Sequence, residues 1–281
     1  MAVDKEGKPE LDTIWEVPDA LWQRCQAVLM ELDRPKRLGR LRIDQRQALN
    51  GVIFRLRSGC QWNHLPEEFG DDSSVHRTFQ RWTGLGVFER LWGLLMEEGQ
   101  ELGGVDWQWQ AADAAMGKAR FGGDLVGPNP TDRGKRGVKR SLAVEASGGP
   151  TAVVVAGANV LDCKLLGQTL DAIVVERPVP TAQEPQHLCL DKGYDNPYGR
   201  QAALDHGYTP HIRKIGEEKQ ARSDRQFPPR RWVVERTLAW LGKCRALLVR
   251  YDKIAANFLA LLQLACALIW FRRLHRLSIL R

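Results

Sequence analysis

The sequence predicts a helical domain followed by a mixed α/β domain. Up to about Gly99, apolar residues recur at the 3.6-residue spacing of amphipathic helices. After Gly104 the period changes to two, as in VDWQWQAAD, which is typical of strands. A hairpin and then alternating helices and strands follow, which favours a mixed sheet over a purely parallel one. We therefore predict a flexible tail over 1–17, a helical domain over 18–100 and an α/β domain over 101–281.

Five helices are predicted in the first domain. Asp19 and Asp44 can cap DALWQRCQAVLMEL and DQRQALNGVIFRLRSG, and the second of these ends at Gly59. HLPEEF forms a short third helix, and SSVHRTFQRW and VFERLWGLLMEE form the last two. The polar faces of SSVHRTFQRW carry Arg77, Gln80 and Arg81. A short helix, a turn and such a helix fit helix-turn-helix DNA binding, although charged exposed faces are also common on helices that bind nothing.

The second domain begins with a strand over 105–113. SLAVEAS and TAVVVAG flank a GGP turn at 148–150, which predicts a hairpin. A helix over 165–176, a strand over 186–190, a helix capped by Asn196 and the strand YTPHIR come next. A basic loop over 214–231 leads into a helix carrying Glu235, and a last helix covers about 255–275.

Composition restricts the class of protein. A formal net charge of +7 and a pI near 9.2 favour a polyanionic partner, either nucleic acid or an anionic membrane surface. The six cysteines include no CxxC pair, which argues against thiolate zinc sites and a disulfide framework and suits a reducing cytoplasm. The longest apolar run, FLALLQLACALIWF at 258–271, is shorter than the roughly 20 residues of a membrane span. We expect a soluble, cytoplasmic protein.

Three carboxylates are candidates for a metal site. Asp113 and Asp191 each follow a predicted strand, and such strand ends form the rim where sites lie in open α/β sheets. Glu235 lies beside the apolar face of its helix, among small residues that permit close approach. Together they could hold two Mg²⁺ or Mn²⁺ ions ~3.5–4 Å apart, the arrangement that supports phosphodiester displacement. The alternatives are an Arg231–Glu235 helix pair and aspartates that only shape turns.

Several segments together resemble a known family. They are RIDQRQALNGVIFRLRSGCQW, GPNPTDRGKRGVKR, GANVLDCKLL, LCLDKGYDN and RRWVVERTLAWL, and they resemble bacterial insertion-sequence transposases of the DDE class, in family five. The resemblance covers about residues 18–274. It implies an RNase H-like catalytic domain preceded by a helical DNA-binding domain, with a Mg²⁺-dependent activity that cuts element ends and joins the 3′-hydroxyl to target DNA.

The resemblance also assigns individual residues. The catalytic and metal-binding acids fall on Asp113, Asp191 and Glu235, with Asp106 and Asp124 as competitors for the first position. Arg231 matches the arginine four positions before the glutamate, whereas Phe227 stands where tyrosine is common. Lys243 matches the basic residue after the glutamate, at a spacing that differs by one between subgroups. We expect the three carboxylates to converge within metal-bridging reach even without metal.

Basic residues near these acids could follow the phosphate backbone. The segment 117–140 combines Gly and Pro with Lys and Arg, and we interpret it as a mobile loop. Such contacts give affinity without sequence preference. The predicted DNA contacts in this part of the chain are Arg133, Lys135, Arg136, Lys139, Arg140, Lys192, Arg230, Arg231 and Lys243.

We expect double-stranded DNA, as element ends and target, to be the partner, and a homodimer or larger assembly to form on it. Two alternatives to an active transposase remain. One is an inactive DNA-binding protein derived from a transposase, and the other is an RNase H-like nuclease without strand transfer.

Overall fold

Four helices precede the sheet in the computed structural model, which describes residues 14–34, 41–212 and 231–279. They are α1 (Asp19–Leu32), α2 (Gln45–Ser58), α3 (Asp72–Gly84) and α4 (Val87–Glu101). The Asp44 carboxylate accepts the Gln47 N–H at 2.8 Å, which caps α2 as predicted. HLPEEF forms no single helix: two 3₁₀ turns, Trp62–His64 and Glu67–Phe69, lie on either side of Pro66, which has no N–H to donate.

A seven-stranded mixed sheet follows. Its long strands are β1 (Trp109–Ala119), β3 (Arg136–Glu145) and β4 (Pro150–Gly157), joined as an antiparallel set with β3 in the middle. β5 (Gln186–Leu190) and β6 (Tyr208–Ile212) extend the other edge of β1 in parallel. Two short strands, β2 (Gly127–Pro128) and β7 (Val249–Arg250), pair with β3 and β1. The predicted mixed sheet is therefore confirmed, including its GGP hairpin.

Helices cover the two faces of the sheet. α5 (Asp162–Asp171) and α6 (Pro197–Asp205) pack on one face with a small core of their own. The other face lies under α7 (Trp232–Gly242), α8 (Arg245–Leu248) and α9 (Ala255–Ile279). One apolar core joins this face to α1–α4, and α9 packs along α4. The division at residue 100 stays a prediction.

The last helix contains the apolar run noted in the sequence. α9 is longer than predicted, and Ala255–Ser278 is long and apolar enough to cross a membrane by length and composition. However, 67% of its most apolar window is buried inside the fold, which is how the core helix of a soluble protein behaves. No second helix of this kind occurs among residues 14–34, 41–212 and 231–279.

Three predicted boundaries were wrong. β1 begins at Trp109 and continues past Asp113, because its far half pairs with β3 although its own residues there are mostly alanine and glycine. The segment 117–140 is not one loop, since it contributes to β1, β2 and β3. α5 ends at Asp171, where the β-branched run Ile173–Val175 leaves the helix and the Val174 N–H donates to Thr151 instead.

The β3–β4 turn is held by a buried carboxylate. Glu145 is fully buried and accepts the Gly149 N–H at 2.6 Å and the Ser147 N–H at 3.1 Å. Arg273 of α9 pairs with it at 2.6 Å and also donates to the Gly104 carbonyl. This network ties the hairpin to the last helix and to the start of the sheet domain.

Candidate active site

The strand register places two of the predicted acids side by side. β1 and β5 pair in parallel with Ala111 opposite Cys189, so Asp113 and Asp191 each lie two residues further along. Side chains alternate along a strand, and neighbouring strands lie about 4.8 Å apart. Asp113 is therefore on the same face as Asp191, although it lies within β1 and not at a strand end as predicted. Asp191 directly follows β5, where the parallel pairing stops.

Glu235 approaches this face from the helix packed on it. Val233 and Val234 are buried in the same apolar core as Ala111 and Cys189, which fixes α7 over the strands that carry the aspartates. Glu235 follows them in the first turns of α7, with its side chain 50% exposed, and pairs with Arg231 at 3.2 Å. The helix is apolar because the side with Val233, Val234, Thr237 and Leu241 is core, whereas Glu235 is exposed and close enough to Asp113 for its charge to act on that carboxyl.

Each carboxylate has a local hydrogen-bonding partner. Asp113 accepts the Ala114 N–H at 2.8 Å and Asp191 accepts the Gly193 N–H at 2.8 Å, while Glu235 faces Arg231. Within the described ranges, no three acidic, histidine or cysteine side chains are placed to hold a metal ion together. The expectation that the three acids already lie within metal-bridging reach was wrong for this conformation. The backbone brings them to one face, and side-chain rotation would have to complete the site.

The electrostatics of Asp113 show that the three acids influence each other. Burial raises the pKa of the Asp113 carboxyl to about 6, and the negative charges of Asp191 and Glu235 add to the rise. The Ala114 N–H and the Arg231 charge work in the opposite direction. A half-buried group of acidic oxygens with excess negative charge suits a hard divalent cation, which would relieve that repulsion. The donor set therefore fits Mg²⁺ or Mn²⁺.

Asp113→Asn is expected to stabilise the metal-free fold. Because the folded pKa of Asp113 is raised, its favourable contribution is fully present below its ordinary value of 3.8 and is lost as pH rises through about 6. At pH 8 the ionised carboxylate should cost about 1–3 kcal/mol, which Asn removes. Thermal melts at pH 8 should show a higher midpoint for the variant without divalent ions, and Mg²⁺ should stabilise only the wild type. An unchanged midpoint would contradict the conclusion that burial and the neighbouring acids destabilise the ionised form of Asp113.

Sequence reasoning gave no role to one residue beside the acids. Tyr194, in the DKGYD segment, is fully buried, and its hydroxyl has no hydrogen-bond partner among the residues described. Burial raises the pKa of this phenol, with further contributions from Asp113, Asp162 and Asp191. Its ring belongs to the core on the far side of the sheet, behind the acids. The sequence signal for this residue is its place in the DKGYD segment, three residues after Asp191.

Two predicted DNA contacts are buried instead. Lys139 is 6% exposed, pairs with Asp162 at 2.5 Å and donates to the Val160 carbonyl. Arg140 is 7% exposed and donates to the Leu247 carbonyl at 3.0 Å, and burial lowers the pKa of its guanidinium. Both lie inside β3 and not in a loop. Both charged groups are buried against partners inside the fold, so the proposed DNA interface does not include them.

The other predicted contacts near the acids are accessible. The exposed set is Arg133, Lys135, Arg136, Lys192 and Lys243. Lys135 pairs with Asp132 at 3.6 Å, and Arg133 adopts a positive φ of 52° in the turn before β3. Arg231 is partly exposed beside Glu235. Arg230 and most of the basic loop over 214–231 lie outside the described residues.

The helix predicted to bind DNA, α3, carries some polar side chains that are exposed and one that is paired with a residue of the fold. Arg77 and Gln80 of α3 are exposed, and Arg77 donates to the Ser73 carbonyl and the Ser74 hydroxyl of its own helix. Arg81 instead binds Asp33, which is 4% exposed, through contacts of 2.9–3.2 Å. Burial opposes the charge on Asp33, but hydrogen bonds from Arg81 and Trp82 outweigh it and lower the pKa of that carboxyl. Arg81 therefore helps to hold α3 to the end of α1.

A mixed sheet with acids directed toward one site beside exposed cations is the arrangement expected of a metal-dependent enzyme that acts on nucleic acid. Two family models match the chain: "Putative transposase of IS4/5 family" over residues 17–92 and "Transposase DDE domain" over residues 104–270. The second covers more than half of the chain. The chain belongs to the DDE transposases of bacterial insertion sequences, in the IS4/5 group.

Relatives agree with this family. A protein of Burkholderia cepacia named "Putative transposase for insertion sequence element IS402" is 38% identical over 159 residues, which cover 56% of this chain and 74% of the relative. A second protein of that organism, "Insertion element IS402 uncharacterized 16.2 kDa protein", is 32% identical over 118 residues, covering 41% of this chain and 80% of the relative.

Solved structures give weaker similarity. The catalytic domain of Mos1 mariner transposase matches 69% of this chain and 94% of its own, at 10% identity and a TM-score of 0.29. The Mos1 mariner paired-end complex with Mn matches 90% and 86%, at 11% identity and a TM-score of 0.28. These scores are too low to support any further conclusion about the present chain.

Proposed function

We propose that Asp113, Asp191 and Glu235 form the catalytic site of this transposase and hold two Mg²⁺ ions. Two observations support the proposal: the register of β1 and β5 puts Asp113 and Asp191 on one side of the sheet, and the charges of Asp191 and Glu235 both contribute to the raised pKa of Asp113. Transposases of the DDE class depend on divalent metal ions. When bound, such ions activate a water or 3′-hydroxyl nucleophile and stabilise the leaving oxygen in an in-line displacement.

The protein's own residues have distinct tasks in this proposal. The rigid strands hold Asp113 and Asp191 in place, while Glu235 is presented by a helix whose other side is core. Arg231, partly exposed and one helical turn before Glu235, can bind a phosphate oxygen of the strand when Glu235 turns toward the aspartates. No covalent enzyme intermediate is needed, because the acids act only as ligands.

The DNA path follows from the exposed cations. Arg133 and Lys135 lie in the turn before β3, Arg136 is the first residue of β3, and Lys192 lies next to Asp191. They can neutralise phosphates close to the scissile bond without reading sequence. We propose that α3 supplies sequence recognition of the element ends through Arg77 and Gln80. We further propose that the chain assembles on DNA as a dimer or larger complex, in the cytoplasm at the nucleoid.

Arg77→Ala is expected to weaken binding to the element end by about 1–3 kcal/mol and binding to random duplex by less. The reason is that an exposed arginine on a recognition helix can pair with a base edge. Arg81→Ala is the comparison, because its loss of the Asp33 pair should lower the thermal midpoint. Affinities come from fluorescence anisotropy on labelled duplexes. Equal losses of affinity on both duplexes would show that Arg77 contacts only phosphates. No loss on either duplex would show that Arg77 of α3 does not contact DNA.

The experiment that tests the function is an assay of both chemical steps. Purified protein is incubated with labelled duplexes carrying the element ends and a supercoiled target plasmid, in Mg²⁺ or Mn²⁺. We expect cleavage at the end and then covalent joining of the freed 3′-hydroxyl to the plasmid. Cleavage without joining would favour an RNase H-like nuclease, and binding without cleavage would favour an inactive derivative.

A further inference from the structure

The tyrosine of the DKGYD segment has a backbone that is held on both sides. Tyr194 ends a short 3₁₀ turn, Lys192–Tyr194, that directly follows Asp191, and its N–H donates to the Asp191 carbonyl at 3.1 Å. Its own carbonyl accepts the Asn196 N–H at 2.8 Å. A side chain at Gly199 would collide with that carbonyl, so α6 packs directly against the turn. These contacts fix the point from which the Tyr194 side chain starts.

The phenol of Tyr194 is enclosed but lacks a hydrogen bond. The residue is fully buried, and its ring shares a core with Leu166, Leu188 and Leu190. Its hydroxyl has no hydrogen-bond partner within residues 14–34, 41–212 and 231–279. A buried hydroxyl without a partner is rare and destabilising, because it has given up its bonds to water. Since the packed ring has little room to turn, an acceptor has to come from a neighbouring side chain that moves.

A gap in the sheet gives the Tyr194 hydroxyl access to the acids. β5 pairs with β1 only as far as Ala111, and β7 pairs with β1 from Lys118 onward. Among the strands described, none covers the edge of β1 between these two points, where Asp113 lies. Tyr194, which follows the end of β5, can therefore reach Asp113 around that end, although its ring packs on the other face of the sheet.

Asp113 is the acceptor that the surroundings favour. Burial is the main cause of the raised pKa of the Tyr194 phenol, and of the neighbouring charges that of Asp113 contributes most, ahead of Asp162 and Asp191. Asp191 already accepts a backbone N–H, and Asp162 is paired with Lys139. Asp113 forms no ion pair in the part of the chain that is described, and it accepts the N–H of the next residue.

Metal binding requires Asp113 to change its orientation. No three acids are placed to hold one ion within the described residues, so side-chain rotation has to complete the site. A carboxylate that binds a metal is normally hydrogen-bonded by a second group, which fixes its orientation and strengthens binding. The enclosed hydroxyl of Tyr194 is a donor of this kind, and its position is set by the fold before any ion arrives.

We propose that Tyr194 is a positioning residue of the metal site, whose hydroxyl donates a hydrogen bond to the Asp113 carboxylate when that side chain turns to bind the ion. The inference rests on the proposed metal site of Asp113, Asp191 and Glu235. It gives the partnerless hydroxyl a task that exists only in the metal-bound state. The metal-free fold therefore gains nothing from the hydroxyl, and the loaded site depends on it.

Tyr194→Phe tests this dependence, because it removes the hydroxyl and keeps the ring. Without divalent ions, the thermal midpoint should equal or exceed that of the wild type, since the lost hydroxyl has no partner there. Affinity for Mn²⁺ is measured from the electron paramagnetic resonance signal of the free ion, and only binding that Asp113→Asn abolishes is counted. We expect this affinity to fall by about 10–100-fold in Tyr194→Phe. A merely structural role would not weaken Mn²⁺ binding while leaving the midpoint intact.

A second buried tyrosine is the matched control. Tyr208 is 2% exposed, and its hydroxyl donates to the Gln110 side chain at 2.7 Å. Tyr208→Phe should show the opposite pattern. Its midpoint should fall, because Gln110 loses its donor inside the fold, and its affinity for Mn²⁺ should equal that of the wild type.

Three results would overturn the role of Tyr194. One is unchanged Mn²⁺ affinity in Tyr194→Phe, and this result would leave the metal site itself supported if the wild type binds Mn²⁺ through Asp113. Another is a midpoint lowered as in Tyr208→Phe, which would show that the hydroxyl already has a partner in the metal-free fold. The last is a wild type without Asp113-dependent Mn²⁺ binding, which would contradict the proposed metal site as well.

Discussion

Glu235→Gln is expected to abolish Mg²⁺-dependent strand cleavage while leaving folding and DNA binding nearly intact. Gln keeps the size and hydrogen-bonding capacity of the side chain but removes one negative charge from the metal site proposed for Glu235, Asp113 and Asp191. Loss of that ligand should raise the barrier by several kcal/mol, which corresponds to orders of magnitude in rate. The measurement is cleavage of a labelled element-end duplex in Mg²⁺ and in Mn²⁺, together with a thermal melt.

The alternative role of Glu235 predicts a different size of effect. If Glu235 only pairs with Arg231, both side chains are partly exposed, and losing the pair should cost a few tenths of a kcal/mol at most. Cleavage would then proceed at the wild-type rate. DNA affinity is informative as well: removing a carboxylate that faces phosphates should leave it equal or higher when no metal is present. Normal cleavage by Glu235→Gln would contradict the catalytic assignment.

Glu145→Ala is expected to cause the largest loss of stability. The change leaves the partly buried Arg273 without its carboxylate and the N–H groups of the buried Gly149 and of Ser147 without their acceptor. Removing one partner of a buried pair typically costs about 3–5 kcal/mol. For a chain of this length, that should lower the thermal midpoint by about 6–20 °C.

An exposed pair provides the control for this prediction. Glu97 pairs with Arg90 at 3.2 Å, with both side chains substantially exposed, so Glu97→Ala should cost less than about 1 kcal/mol. Glu145→Gln should fall between the two, because Gln still accepts hydrogen bonds but carries no charge. Melts are compared at one scan rate, since unfolding of a chain of this size can be irreversible. Equal midpoints for Glu145→Ala and Glu97→Ala would show that the turn network contributes little.

Local chemistry explains what could be predicted from the sequence. The caps at Asp44 and Asn196, the GGP turn and the change of period all act over a few residues, and the structure has each of them. The DDE-class family was also predicted correctly, because its motifs are distributed over nearly the whole chain. The pairing of Arg231 with Glu235 was predictable from their spacing on one helix.

What could not be predicted depends on contacts between distant residues. β1 continues past Asp113 only because β3 pairs with it, and the short strand β7 reaches β1 from the other end of the domain. Lys139 and Arg140 lie in a Gly- and Arg-rich segment that is typical of a protein surface. In the fold they are buried, because Lys139 pairs with Asp162 and Arg140 donates to the Leu247 carbonyl. Arg81 likewise forms an ion pair with a distant residue, Asp33. A charged residue's sequence context gives no sign of such a partner.

The most direct test of the metal site is to map where a bound ion lies. Fe²⁺ can replace Mg²⁺ at an oxygen-rich site, and with ascorbate and peroxide it cuts the polypeptide close to where it is bound. We predict cuts next to Asp113, Asp191 and Glu235, identified by mass spectrometry, that are suppressed by excess Mg²⁺ and greatly reduced in Glu235→Gln. Cuts confined to other parts of the chain, or cuts next to the acids that persist unchanged in Glu235→Gln, would contradict a metal site formed by these three residues.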